Sequence, residues 1–332
     1  MLNVGVIGPG KIWEKVHMPI VEKIDTFRIM SFCVRREEQK AYWQQKCPSA
    51  TVFTNIDEFL KQPNMDGVII TTPLNLNGPA TIKAQRANKI VFVEKPLTTK
   101  MEEIEAIMAE EKKSGTPVYV LEQFLYNSQV AAILDIIKSE KLGKLVSYEN
   151  VTYYLMDEKA PSDIGYEQTS WRQESDFPLG HIWDGGVHQV ALFNALFGLP
   201  RKIFAKGLSL RQGMGKYNFI LAALDYGNNF LASFSHSAFL GGNGKLFNVH
   251  FTNGSLYISG KELVLENKVT CSRETLNIAE GNLYEKMWKE IAVLAAKKAV
   301  PPFTAKDAGD CIKFLAAMEK SIETSVDTPV KQ

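Results

Sequence analysis

The sequence predicts an α/β protein of two domains: a doubly wound parallel sheet, followed by a unit built on a mostly antiparallel sheet. Three observations carry this. Strand-like and helix-like segments alternate over the first third of the chain, and that rhythm changes after about Gln123. A chain of 332 residues is also too long for one compact core.

In the first third, Val4–Ile7, Arg28–Val34, Gly67–Thr71, Ile90–Val93 and Val118–Leu121 are β-branched runs ending in turn residues, and read as strands. Between them Lys11–Lys23, Glu37–Gln45, Ile56–Lys61, Pro79–Asn88 and Lys100–Lys113 carry helical patterns. Alternation at this spacing predicts a parallel sheet with helices on both faces, which binds ligands outside the carboxyl ends of its strands. A helix is then expected over Asn127–Lys141 and a strand over Leu145–Tyr154, followed by a polar stretch at 155–180 containing Pro161, Gly165, Trp171 and Pro178. After a helical segment at Gly185–Phe197 come strand-like runs at Lys202–Leu210, Asn218–Asp225, Asn229–Ala238, Lys245–Thr252, Ser255–Ser259 and Leu263–Leu265. Turns at Gly227-Asn228, Gly241-Gly242 and Asn253-Gly254 make these antiparallel. Helices around Leu283–Lys298 and Ala305–Thr324 close the chain. The domains are placed at 1–122 and 123–332.

Composition narrows the function. Hydrophobic residues at 45% and charged residues at 23% exclude a largely disordered chain. With 38 basic against 37 acidic residues, no global field draws nucleic acid or an anionic membrane. No stretch is apolar for long enough to cross a bilayer. The chain opens on a strand-like run without the basic start of a leader, and its four cysteines show no CxxC spacing. A reduced cytoplasmic setting is expected, with neither a disulfide framework nor a metal site.

Gly8-Pro9-Gly10-Lys11-Ile12 joins the first strand to the first helix. Its glycines permit a tight turn and close approach to a pyrophosphate, with the helix N-terminus behind; a plain βα turn is the competing reading. The small residue usual at the third position is Trp13, a poor fit for close helix–strand packing. The second strand ends in Arg35-Arg36, where an NAD site normally has an acid for the ribose hydroxyls. A guanidinium there pairs with a 2′-phosphate, which favours NADP over NAD; the alternative is a pair of arginines salt-bridged to Glu37 or Glu38.

Thr71-Thr72-Pro73 and Val93-Glu94-Lys95-Pro96 end the next two strands, on the ligand side of the sheet. There the Lys95 ammonium can stabilise oxyanion character or shuttle a proton, unless it is simply a solvated lysine. Further on, Asp184-Gly185-Gly186-Val187-His188 places an acid and an imidazole four residues apart, which puts them on one helical face. His188 is a candidate general base for a hydroxyl, and Asp184 can orient it or bind substrate hydroxyls; a structural pair is the plainer alternative. His181 has no assigned role, and His17 is expected to pack or cap.

Taken in order, these motifs resemble the glucose–fructose oxidoreductase / inositol dehydrogenase (Gfo/Idh/MocA) family. The likeness rests on the GxG turn, the Thr-Pro, Val93-Glu94-Lys95-Pro96-Leu97 and Asp184-x-Gly186-x-His188, and extends to Glu122-Gln123-Phe124-x-Tyr126, Trp171-Arg172 and Gly254-Ser255-Leu256. The resemblance implies an N-terminal Rossmann domain and a C-terminal α/β domain with a large open sheet that forms homodimers or homotetramers. It implies a hydride-transfer enzyme using NADP or NAD on a sugar, polyol or related cyclic alcohol or carbonyl. Lys95, Asp184 and His188 are then the catalytic group. Gly8, Pro9, Gly10, Lys11, Ile12, Arg35, Arg36, Thr72, Pro73, Asn77, Glu94 and Lys95 hold the cofactor, and Gln123, Tyr126 and Arg172 touch substrate. Three departures stand out: Asn77 replaces the family's common His after Thr-Pro, Trp13 replaces a small residue, and Leu179 precedes Gly180 where the family is richer in glycine. Two further readings share the fold: an NAD-dependent glycosidase or lyase that oxidises a ring carbon transiently, and a non-catalytic dinucleotide-binding regulator.

Overall fold

The computed structural model describes residues 1–156, 169, 172, 179–211, 215–259, 262–277 and 281–332. Trp171 and most of the polar stretch expected at 155–180 lie outside them. The chain divides into two compact units, Met1–Tyr126 with Gly281–Gly309, and Asn127–Glu280 with Asp310–Gln332.

The first unit holds β1 (Leu2–Ile7), β2 (Phe27–Cys33), β3 (Thr51–Phe53), β4 (Gly67–Ile70), β5 (Ile90–Glu94) and β6 (Tyr119–Leu121), in the order β3-β2-β1-β4-β5-β6. Every pairing is parallel. Val4, Val6, Val68, Ile69, Phe92 and Val120 are fully buried, as strands covered on both faces require. The connecting segments are a π-helical turn, Trp13–His17, running into α1 (Met18–Val21), then α2 (Glu37–Lys46), α3 (Ile56–Leu60), α4 (Leu74–Arg86) and α5 (Met101–Ser114). The wider turn accommodates Trp13, whose ring is fully buried rather than excluded by its size. The helix expected to open at Pro79 begins instead at Leu74, because Pro73 fills the capping place and Pro79 sits inside on the exposed side. β3 escaped the sequence reading; three residues give too short a pattern.

A 3₁₀ turn, Gln123–Tyr126, leads to the second unit, which opens with α6 (Ser128–Ser139) and β7 (Leu145–Leu155). A 3₁₀ turn at Gly180–Ile182 and α7 (Val187–Phe197) follow. The sheet continues with β8 (Lys202–Leu208), β9 (Phe219–Gly227), β10 (Phe230–Ser237), β11 (Phe239–Phe251), β12 (Gly254–Ser259), β13 (Glu262–Asn267) and β14 (Ser272–Asn277). Then come α8 (Leu283–Ala296), α9 (Ala305–Thr324) and the short β15 (Thr328–Pro329). The sheet order is β14-β13-β12-β11-β7-β10-β9-β8-β15, antiparallel except where β10 meets β7. The expected turn at Gly241-Gly242 is absent: both glycines lie within β11, where the register against β7 slips. One sheet face packs on the helices through Ile203, Ile220, Ala232 and Phe234, with Phe234 edge-on to Phe193 of α7 at 5.3 Å. On the opposite face Phe204, Leu208, Leu221, Leu231 and Leu246 are exposed.

A single boundary at residue 122 does not describe this chain, since α8 belongs to the first unit. Its buried stripe of Met287, Trp288, Ile291, Ala292 and Ala295 joins the core around Phe27 and Phe92, and the Tyr119 hydroxyl donates to the carbonyls of Leu294 and Ala299, both at 3.2 Å.

Candidate active site

The glycine turn stands at the carboxyl end of β1. Gly8 has φ +70°, its N–H donates to the Cys33 carbonyl at 2.9 Å, and its own carbonyl accepts from Thr71 Oγ1 at 2.9 Å. A Cβ on Gly8 would come within 2.5 Å of the Thr72 methyl, so conformation and space both demand glycine. Gly10 differs: a Cβ there meets nothing nearer than 3.8 Å. The backbone at Gly10 is therefore open to approach, and the helix that starts at residue 11 directs its first N–H groups outward. Beside it a cleft of about 480 Å³ is lined by Pro9, Gly10, Lys11 and Arg36, with Tyr42 and Trp43 on its wall. The Trp43 indole donates to the Pro9 carbonyl at 3.2 Å and stacks on Phe32, which holds the loop. Glu14 and Glu38 also line the cleft. Lys46 and Tyr42 hydrogen-bond Glu14 and hold its carboxyl below the usual range. Arg35 is exposed and does not line the cleft, while Arg36 does. A backbone open to a phosphate, two cations and an aromatic wall fit the pyrophosphate and adenosine end of a dinucleotide.

Lys95 stands at the carboxyl end of β5, two strands from Gly8 in the same sheet. Asn77 fixes the main chain on either side of it: the amide donates to the carbonyls of Glu94 at 3.1 Å and Pro96 at 2.9 Å, and accepts from Thr72 Oγ1 at 2.7 Å. Asn77 is 1% exposed. Expected as a cofactor contact, it braces the backbone around Lys95, with protein groups at both ends of its amide. Pro73 caps α4 beside it, and the Glu94 carboxylate is turned inward onto His17 at 2.6 Å. Gln123 donates to the Tyr284 hydroxyl at 3.2 Å. Tyr126, expected at the substrate, lies in the core cluster with Met287 and Trp288, and burial pushes its phenol well above the ordinary value. A ring packed there is structural.

In the second unit Asp184 lies in a turn, not on a helix. α7 starts at Val187, and the Asp184 and Gly185 N–H groups both bond the His181 carbonyl, at 3.1 and 2.7 Å. The acid–imidazole spacing is thus set by a turn running into α7 rather than by one helical face. Its glycines have a reason: a Cβ on Gly185 would fall inside the His181 ring, and one on Gly186 would meet the Ile182 backbone at 3.0 Å. Arg172 Nε donates to Asp184 Oδ2 at 2.6 Å, with the two side chains 12% and 10% exposed, and Arg172 also reaches Thr169 Oγ1 at 2.9 Å. His181 Nε2 is 3.8 Å from Asp184, and its Nδ1 is 3.3 Å from the Tyr154 hydroxyl.

Two members of this cluster escaped the sequence reading. His236 of β10 stacks parallel to His181 at 5.9 Å, and Tyr154 of β7 lies edge-on to both rings. Burial first, then the charges of His181 and His188, pushes the His236 imidazole well below its ordinary value, and neither of its ring nitrogens has a partner among the described residues. Burial also raises the Tyr154 phenol, and the Asp184 charge adds to it. His236 was legible in one respect, since it follows Phe230, Ala232 and Phe234 at the alternation that faces the core. His188 sits half-buried in the first turn of α7, close enough to bias His236. The structure therefore gathers Arg172, Asp184, His181, Tyr154 and His236, with His188 beside them, in one unit. Lys95 and the glycine cradle stand together in the other. Among the described residues no group of three or more His, Cys, Asp or Glu is arranged to hold a metal ion.

Comparison with known proteins accords with this fold. The model of an oxidoreductase family with an NAD-binding Rossmann fold matches residues 2–122, and that of the GFO/IDH/MocA C-terminal domain matches residues 130–257. The scyllo-inositol 2-dehydrogenase (NADP(+)) IolW of Bacillus subtilis is 25% identical, with 97% of this chain and 94% of the relative covered. An uncharacterised Saccharomyces cerevisiae protein is 28% identical over 77% of this chain and 74% of its own. An oxidoreductase from Thermotoga maritima shares the fold with a TM-score of 0.86 at 24% identity, covering 99% of this chain and 98% of its own.

Proposed function

Because the chain belongs to the GFO/IDH/MocA family of oxidoreductases, we propose that it transfers a hydride between NADP and a ring carbon of a sugar, polyol or related cyclic alcohol. The observation that carries the reading is the clamp on Lys95. Asn77 bonds the carbonyls on both sides of that residue, next to a glycine cradle open to a dinucleotide. A surface lysine needs no such brace. The similarity to a scyllo-inositol dehydrogenase supports a polyol substrate.

In this reading the Lys95 ammonium hydrogen-bonds the reacting oxygen and stabilises its developing negative charge. His188 takes the hydroxyl proton as the carbonyl forms. Asp184, ion-paired with Arg172, orients the substrate hydroxyls or His188. The nicotinamide ring, when bound, supplies the acceptor for the hydride. Arg36 pairs with a ribose 2′-phosphate, supported by its place in the cleft and by the missing acid at the end of β2. The IolW relative, named for NADP, points the same way. The exposed apolar face of the second sheet is proposed to pair with other copies in a homodimer or homotetramer. Four free cysteines suit a reducing cytoplasm, and among the described residues no helix is long and apolar enough to cross a membrane.

The test is a titration of NADPH and NADH by fluorescence, followed by a polyol and sugar panel read at the absorbance of the reduced cofactor. NADPH is expected to bind at least tenfold tighter than NADH, and Arg36→Glu to reverse that order. Tighter NADH binding refutes the cofactor assignment, and full turnover by both Lys95→Ala and His188→Ala refutes the catalytic one.

A further inference from the structure

A chain of buried hydrogen bonds ends on the residue before Lys95. Trp288 Nε1 donates to His17 Nδ1 at 3.0 Å, and His17 Nε2 lies 2.6 Å from Glu94 Oε1. The three groups come from α8, the π-helical turn and β5, and all belong to the first unit. His17 and Trp288 are wholly buried, and Glu94 is 6% exposed. An indole nitrogen can only donate, so His17 Nδ1 must present its lone pair. The remaining ring proton then sits on Nε2 and points at the carboxylate. The imidazole also packs edge-on against Tyr284 at 5.5 Å and Trp288 at 5.7 Å.

This arrangement is expensive for a core. Replacing both members of a buried hydrogen-bonded pair by apolar groups of similar shape is often nearly neutral for stability, so stability alone does not account for the His–Glu pair. Its position suggests the reason. Glu94 is the last residue of β5, and Lys95 follows it directly. Asn77 holds the carbonyls of Glu94 and Pro96, while His17 holds the Glu94 side chain. Main chain and side chain are thus fixed by different partners, and Lys95 is the residue between the two tied carbonyls.

We propose that His17 is a positioning residue for Lys95: kept by Trp288 in the tautomer protonated at Nε2, it anchors the Glu94 carboxylate and so steadies the backbone that presents the Lys95 ammonium. The role rests on the reading of Lys95 given under Proposed function. His17 touches neither substrate nor cofactor in this role, and acts only through Glu94.

The first measurement needs no ligand. A long-range ¹H–¹⁵N correlation spectrum of the imidazoles, with His17 identified by its loss in His17→Gln, is expected to show a protonated Nε2 and a bare Nδ1. A proton on Nδ1, or on both nitrogens, overturns the proposal. The dehydrogenase reading fails separately, if neither NADPH nor NADH binds. The second measurement uses the polyol that the panel identifies. His17→Leu is expected to lower kcat about 10–100-fold, the range for losing a hydrogen bond to a charged group, with the NADPH Kd within about threefold of the parent. His17→Gln places an amide N–H where Nε2 stood and is expected to recover kcat to within about fivefold. Equal losses in the two variants, or no loss in His17→Leu, refute the role. Should His17→Leu not fold, Trp288→Phe removes the indole donor together with part of a buried ring; a mixed His17 tautomer with a reduced kcat and an NADPH Kd within about threefold of the parent supports the proposal, and an unchanged rate refutes it.

Discussion

Replacing Arg172 with Met tests whether the Arg172–Asp184 pair holds the second unit's cluster together. The contact is 2.6 Å long and each side chain is about a tenth exposed. At an effective dielectric of about 20, two unit charges at that separation attract by about 6 kcal/mol before desolvation is counted. Removing the guanidinium recovers its desolvation cost but takes a cationic partner from a nearly buried carboxylate, a loss of about 3–5 kcal/mol. In a unit of this size each kcal/mol moves the midpoint by roughly 2–4 °C, so a fall of about 6–20 °C is expected. Asp184→Asn is expected to cost less, about 1–3 kcal/mol, because Arg172 keeps Thr169 and some water. The double variant decides the matter. If the loss of this ion pair from the Asp184 carboxylate is the cause, Arg172→Met/Asp184→Asn is more stable than Arg172→Met alone, with a coupling of at least about 1.5 kcal/mol. The assay is denaturant unfolding followed by circular dichroism and tryptophan fluorescence. A single-variant loss under about 0.5 kcal/mol, or strictly additive losses, refutes the argument.

Other consequences are equally concrete. His236 is depressed by burial, so in the native state it stays neutral below about pH 6.5, where the unfolded chain takes up a proton; stability is present above that value and lost as pH falls, by up to about 1.4 kcal/mol per pH unit. His236→Phe should flatten that limb of the curve in pH-dependent denaturation, and an unchanged limb would count against the assignment. Gly8→Ala forces a side chain into a left-handed residue against Thr72, and a loss of at least about 1 kcal/mol together with weakened NADPH binding is expected by melting and fluorescence titration. Gly185→Ala drives a methyl into the His181 ring; kcat should fall at least tenfold in the polyol assay, and wild-type turnover would show that His181 is not needed where it stands. Leu231→Glu puts a charge on the open sheet face and should yield monomers in light scattering, whereas an unaltered mass would move the interface elsewhere.

The sequence by itself determined what short-range physics controls. Strand and helix periods, the glycines at Gly8 and Gly10, and the adjacency of Glu94, Lys95 and Pro96 are properties of consecutive residues. They sufficed for the parallel sheet, the cradle and the candidate lysine. Arg172, Asp184 and His181 also lie near one another in sequence, and their meeting was half legible. Tertiary structure alone decided which distant groups share a hydrogen bond. Trp288 reaches His17 across 271 positions, and His17 reaches Glu94 across 77. It made Asn77 a brace for the backbone at Lys95 and packed Tyr126 into the core. It also stacked His236 on His181 and returned α8 to the first unit. Periodicity tells a residue which way to face; only the packing of strands and helices from remote parts of the chain tells it what it will meet there.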